Sequence, residues 1–234
     1  MTNPPENLDF FMTFSMEVKL IRMIGNTLVP SHLHVVASID RNEGVGDYDL
    51  EVGIAKCRYW LEHIVSKTIA FHKENDVAID AFTDSETRMT RVANMFMITP
   101  DEPRDEMLGT LFQAKMNALS SGAFTVVTIN VESDNLNGLS FTLAGDHGVF
   151  LPQTMEEWLG APSYFDVPWW MRDDRSTLDV YLLDENDRHQ PPAWAASLDF
   201  LDKRTKKVEE NVQIIRPEFK PTVIKGGKDD EDDK

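Results

Sequence analysis

The chain has 234 residues, enough for one sizeable core, and its 41% hydrophobic and 27% charged content is ordinary for a globular protein. A formal net charge of -17 repels nucleic-acid phosphates and anionic membranes over most of the surface and suits basic partners. One cysteine, Cys57, excludes an intrachain disulfide and a zinc site built from thiolates, which points to a reducing compartment.

No basic stretch followed by an apolar run opens the sequence, and no apolar run approaches the roughly 18 residues of a membrane span. The expectation is a cytoplasmic protein without a membrane segment. Residues 1–9, with Pro4 and Pro5, read as a loose lead-in. From Met12 to Leu20 apolar residues alternate with Thr13, Ser15, Glu17 and Lys19, the period of a strand with one wet face. Gly25-Asn26 begins a break that contains Pro30, and residues 33–39 form a second, antiparallel strand. A loop at 41–46 leads to the longest predicted helix, capped by Asp47 or Asp49. It carries Leu50, Ile54, Cys57, Leu61, Ile64 and Phe71 inward and ends near Asn75.

Residues 77–82 read as a short strand. Asp84 or Ser85 then caps a helix to about Met97, with Met89, Val92, Ala93 and Phe96 inward. Thr99-Pro100-Asp101-Glu102 has the residues of a helix start: a hydroxyl cap, Pro at the first position, Glu three after the cap. The apolar face of that helix is Met107, Leu108, Leu111, Phe112, Ala114, Ala118 and Leu119, and Gly122 ends it. Residues 123–131 form a strand, turned through Asn137-Gly138 into a second at 139–143. This helix and strand are expected to be central to the core.

Beyond Gly145 the composition changes to frequent Pro and Trp. Thr154-Met155-Glu156-Glu157 is a capping box closed by Gly160. Residues 178–183 suggest a strand and 193–203 a helix. From Arg216 the chain turns polar and ends in a charge run, expected to be disordered. The domain reading is a lead-in at 1–9, a core at 10–144, a Trp/Pro-rich lobe packed on it at 145–205, and an extended acidic tail at 206–234. The fold class is α+β: a mixed or largely antiparallel sheet of about five to six strands with helices on one face.

Chemistry is sparse. His32 and His34 form H-x-H, which puts both imidazoles on one strand face, where Asp146 or His147 would have to complete a metal site. Half-exposed strand histidines are the commoner outcome. Ser140 and Thr142 lack a nucleophile elbow, and no phosphate-binding glycine loop is present. Gly44-Val45-Gly46 precedes a helix, but Asp47 and Asp49 would repel an anion there. Cys57 lies on an apolar helical stripe, the position of an inert buried thiol. Adjacent acids such as Glu156-Glu157 and Asp173-Asp174 do not face each other and make no acid-base dyad.

The aromatic cluster Tyr164, Phe165, Trp169 and Trp170 supplies the protein-contact candidates, one Trp being expected to face outward. Residues 225–234 set three lysines against five carboxylates. In this the tail resembles those of single-stranded-DNA-binding proteins that recruit partners with a mobile acidic end, although such proteins need a basic groove as well. No catalytic, cofactor-binding or metal residue is therefore assigned. The expected function is a non-catalytic accessory subunit or assembly protein, a homo-oligomer acting through protein contacts. The alternatives are a DNA-metabolism accessory protein using the acidic tail, and a metal-dependent hydrolase using His32, His34 and Asp146 or His147.

Overall fold

A computed structural model describes residues 12–83, 95–134, 139–146, 148–161, 163–179 and 192–198. The chain divides into a compact unit, Met1–Leu198, and a second, Asp199–Lys234, that lies wholly outside the described residues. The lead-in at 1–9, the Asn137-Gly138 turn and the acidic tail also fall outside them.

The fold is α+β, with a six-stranded mixed sheet in the order β4-β3-β1-β2-β5-β6. β1 (Met12–Ile24) and β2 (Thr27–Arg41) form a long antiparallel hairpin about Gly25, whose φ of +56° suits a residue without a side chain. Alternation holds as expected: Phe14, Val18, Leu20 and Arg22 are buried, and Thr13, Ser15, Glu17 and Lys19 are exposed. Pro30 lies inside β2 rather than in a break. It pairs with Ile21, ahead of Leu33 where β5 joins, so its missing N–H removes no bond on that side. β5 (Phe124–Ser133) and β6 (Ser140–Ala144) extend the antiparallel part. β3 (Ile69–His72) and β4 (Phe96–Thr99) add a parallel part beside β1.

Four helices are described. α1 (Asp47–Tyr59) starts at Gly46, not on a side-chain cap, and Asp47 instead binds Arg41 at 2.6 Å. It runs into a π turn (Trp60–Ile64) and a 3-10 turn (Val65–Lys67), then stops. The expected continuation to Asn75 is replaced by β3, so Phe71 is a strand residue. α2 (Asp76–Thr83) replaces the strand expected at 77–82; Asn75 Oδ1 accepts the Ala78 N–H and caps it. Of the helix expected at 84–97, residues 84–94 lie outside the description, and Phe96 and Met97 belong to β4. Thr99 is not a cap but the last residue of β4, and α3 (Asp105–Leu119) starts from the extended backbone of Arg104. α4 (Met155–Leu159) has the expected capping box on Thr154 and Glu157, with Gly160 left-handed at φ +65°. Of the helix expected at 193–203, residues 199–203 lie outside the description, and the described part holds a 3-10 turn, Ala193–Ala195, that leaves Ala196 extended. Leu178 and Asp179 are in no strand.

The main core lies between one sheet face and α1 with α3. Leu33, Val35, Ala37, Ile39, Val126, Ile129 and Val131 meet Leu108, Leu111, Phe112, Met116 and Leu119, all essentially buried. A smaller cluster of Met23, Phe71, Ala78, Phe96 and Leu178 takes in Ile79 of α2 and Trp194. By strand alternation Met23 faces away from Leu20 and Arg22, so this cluster covers the other face at the β3–β4 end.

Candidate functional site

The aromatic candidates come first. Trp169 and Trp170 are both fully buried, so the outward Trp expected from the sequence is corrected. Alternation does not apply here, because the pair sits in a 3-10 turn, Trp169–Met171, not in extended chain. Trp60, Trp169, Trp170 and Trp158 form a file with successive ring centroids 6.2, 5.5 and 4.8 Å apart, joining the 145–179 segment to the helical layer. Tyr164 and Phe165 are half-buried and stack edge to face at 4.9 Å. The Arg172 guanidinium lies 3.6 Å over the Phe165 ring.

Beneath the turn lies a buried charge cluster that sequence reasoning missed. Lys115, at the middle of α3, is fully buried. Its Nζ donates to Trp169 O at 2.8 Å and Arg172 O at 2.7 Å, and lies 3.5 Å from Asp174 Oδ1. Arg172 pairs with Asp174 at 3.0 Å and with Asp179 at 2.6 Å, and Asp179 accepts the Trp169 N–H at 2.8 Å. Burial pushes the Lys115 ammonium down to about 7, against the pull of Asp174. Burial would raise Asp174, but Lys115, Arg172 and the Ser176 hydrogen bonds outweigh it and hold the carboxyl below its usual value. At Asp179 burial wins and the carboxyl is raised. Two basic groups and two carboxylates thus pair with one another, Lys115 and Asp179 also hold backbone groups of the segment they fasten, and Arg172 Nη2 has no hydrogen-bond partner among the described residues. This is the chemistry of a structural clasp. The only sequence signal was a lysine on the stripe that holds Leu108, Leu111 and Phe112.

The histidine candidates lie on the open sheet face. His34 Nδ1 is 2.8 Å from Glu17 Oε1 on the paired strand, and Glu132 is its register partner on β5. His32 pairs with Lys19, and its backbone N–H donates to Asp134 Oδ1 at 3.2 Å. Asp146 is not brought to them. It follows Ala144, which aligns through Thr128 with Ser38, six residues along β2 from His32, or about 20 Å at strand rise. Asp146 binds the Gly148 N–H instead. His147 lies outside the described residues, among which no group of three or more His, Cys, Asp or Glu side chains is placed to hold a metal. Cys57 is fully buried and donates to Met116 O at 3.6 Å; burial holds its thiol far above the ordinary range.

Two surface features remain. The β4 edge is sealed: Ile98 N–H donates to Thr177 O at 3.0 Å, and the Thr177 hydroxyl donates to Phe96 O at 2.6 Å. The β6 edge has no strand beside it among the described residues. Leu139 at its start is 68% exposed; Val149 and Phe150, in a turn beyond its end, are 63% and 80% exposed. At the β1–β3 junction a groove of about 510 Å³ is lined by Lys19, Ile21, Pro30, His32, Lys67 and Met95, with Ser66, Ile69 and Asp134.

No helix among the described residues is long and apolar enough to cross a membrane. No family model matches the sequence, and no curated protein matches it. Among solved structures the chain is similar to a catalytic-residue mutant of Plasmodium vivax 6-pyruvoyltetrahydropterin synthase, at 8% identity and a TM-score of 0.30, over 59% of this chain and 99% of that one. A likeness that slight carries no argument about chemistry.

Proposed function

We propose that this chain is a non-catalytic accessory or assembly protein that works through protein contacts, and that its first partner is a second copy of itself. The observation that carries the reading is the β6 edge. Proteins blunt exposed strand edges with charges, prolines, bulges or covering segments. β4 is covered in that way, whereas β6, Ser-Phe-Thr-Leu-Ala, has no charge and no proline. The register in which Gly145 N–H donates to Val127 O turns the Thr142 backbone N–H and C=O away from β5, toward the open side. Leu139, Val149 and Phe150 bracket this edge with exposed apolar side chains. A strand with no strand beside it among the described residues, its Thr142 backbone groups turned outward and apolar anchors at both ends, is a surface for strand addition. The single, buried Cys57 fits a reducing cytoplasm.

Native mass spectrometry of the full chain tests the proposal. An oligomer is expected, and Phe150→Asp should shift it toward monomer while leaving the thermal melt unchanged. A wild-type chain that stays monomeric up to the highest soluble concentration contradicts it.

A further inference from the structure

We infer that the groove at the β1–β3 junction binds a small organic anion with an apolar body, its charged head held by Lys19 and Lys67. This inference is independent of the β6 reading, since the groove lies toward the opposite side of the sheet. Its volume of about 510 Å³ falls in the range of small-molecule sites. On the open face of β1 the series Thr13, Ser15, Glu17, Lys19 is polar, and then Ile21 breaks it. Ile21 remains 37% exposed and Met95 47%, and with Pro30 and Ile69 they give the groove an apolar floor.

The rim carries two lysines against one carboxylate, Asp134, a small positive excess. Lys19 and Lys67 line it, and among the described residues neither forms an ion pair, in a chain of net charge -17. Of the nearby carboxylates, Glu17 turns to His34, and Asp134, which also lines the groove, accepts the His32 backbone N–H and keeps its charge. The two lysine-bearing segments are stitched together, because Lys19 N–H donates to Ser66 Oγ at 3.3 Å and Ile21 N–H to Thr68 O at 3.1 Å. The backbone that carries the two lysines is therefore held in place, which fixes the spacing of their side-chain stems. Two lysines above a short apolar floor suit one charged head on a compact body: a carboxylate, sulfonate or phosphate monoester. A polyanion would be repelled by the chain's net charge of -17.

The test is a fluorescence titration of the full chain with 1-anilinonaphthalene-8-sulfonate, an anion of this shape. Saturable binding of one probe per chain is expected, weakened about tenfold by Lys19→Glu with Lys67→Glu and retained by Lys19→Arg with Lys67→Arg. Both lysines are solvent-facing, and a matching thermal melt shows that the reversed variant is folded. The uncharged N-phenyl-1-naphthylamine should bind more weakly and ignore the charge reversal. Displacement of the probe by hexanoate or by hexyl phosphate supports the inference and tells which head is preferred. Displacement by neither overturns it, as does an affinity that the charge reversal leaves unchanged or a neutral probe that binds as tightly as the anion.

Discussion

Truncating Lys115 to Ala should damage this protein more than any exposed charge change. The Nζ supplies donors to two buried carbonyls, Trp169 O and Arg172 O, and faces Asp174 at 3.5 Å. Without it both carbonyls lose a donor, at about 1–3 kcal/mol each. Asp174 then keeps Arg172 but loses Lys115, and removing one partner from a buried ionic cluster costs about 3–5 kcal/mol. These terms describe overlapping losses, so the expected total is about 3–5 kcal/mol, a large share of the about 5–15 kcal/mol that holds a typical domain together. Lys115→Met keeps the stem packed against Trp169 and retains only the polar loss, about 2–3 kcal/mol. Urea denaturation followed by Trp fluorescence gives both values. The predicted order of stability is wild type, then Met, then Ala. A Lys115→Ala chain within about 1 kcal/mol of wild type, or a Met variant more stable than wild type, would mean that the Trp file fastens the segment without the clasp.

Three further outcomes follow from the same packing. Lys115 has its pKa lowered from 10.5 to about 7, so unfolding takes up a proton between those values. Wild type should then gain stability over Lys115→Met as pH rises through that window, by about 1 kcal/mol per pH unit; a difference flat with pH contradicts the burial argument. Phe112→Ala should cost about 3–5 kcal/mol for a lost buried ring. Thr99→Ala should cost less, about 1–3 kcal/mol, because its hydroxyl has one proton to share between Phe71 O at 3.1 Å and Asp101 O; a reversed order in denaturant melts refutes the core assignment. Gly53→Ala places a Cβ 3.1 Å from Phe124 Cε1, and overpacking of about 1–3 kcal/mol should outweigh a helix-propensity gain of about 1 kcal/mol. A raised melting temperature would show that the Phe124 ring yields.

Where local period and burial agree, the sequence was readable. Alternation in β1, the Leu108, Leu111, Phe112 and Leu119 part of the α3 face and the capping box of α4 are local signals that the structure has; in β5 the alternation changes phase at Val127–Thr128, beside a register shift against β2, and Gln113, Lys115 and Met116 join the buried face of α3. Misreadings arose where a short apolar run fits two periods. Val77 to Phe82 alternates well enough for a strand, but the Asn75 cap and the burial of Ala78 make it helical. Thr99 was misread because Thr-Pro-Asp-Glu looks the same in a capping box and at a strand end. Only the pairing of His72 with Thr99 decides between them, and that is a long-range fact. The clasp was illegible for the same reason: the partners of Lys115 lie 54 or more residues away. The groove left one local trace, the change from polar Lys19 to apolar Ile21 and Met23 along one strand face, and its lysine-bearing segments are joined only when Ser66 meets Lys19.

The β6 edge is tested most directly by Thr142→Pro. Its backbone N–H points away from β5, so proline should leave the β5–β6 ladder intact while removing the donor a second chain would need. Sedimentation velocity of wild type and variant at equal concentration, with a thermal melt of each, is the measurement. Wild type should sediment as an oligomer and Thr142→Pro as a monomer of unchanged melting temperature. An oligomer that survives the proline unchanged contradicts it.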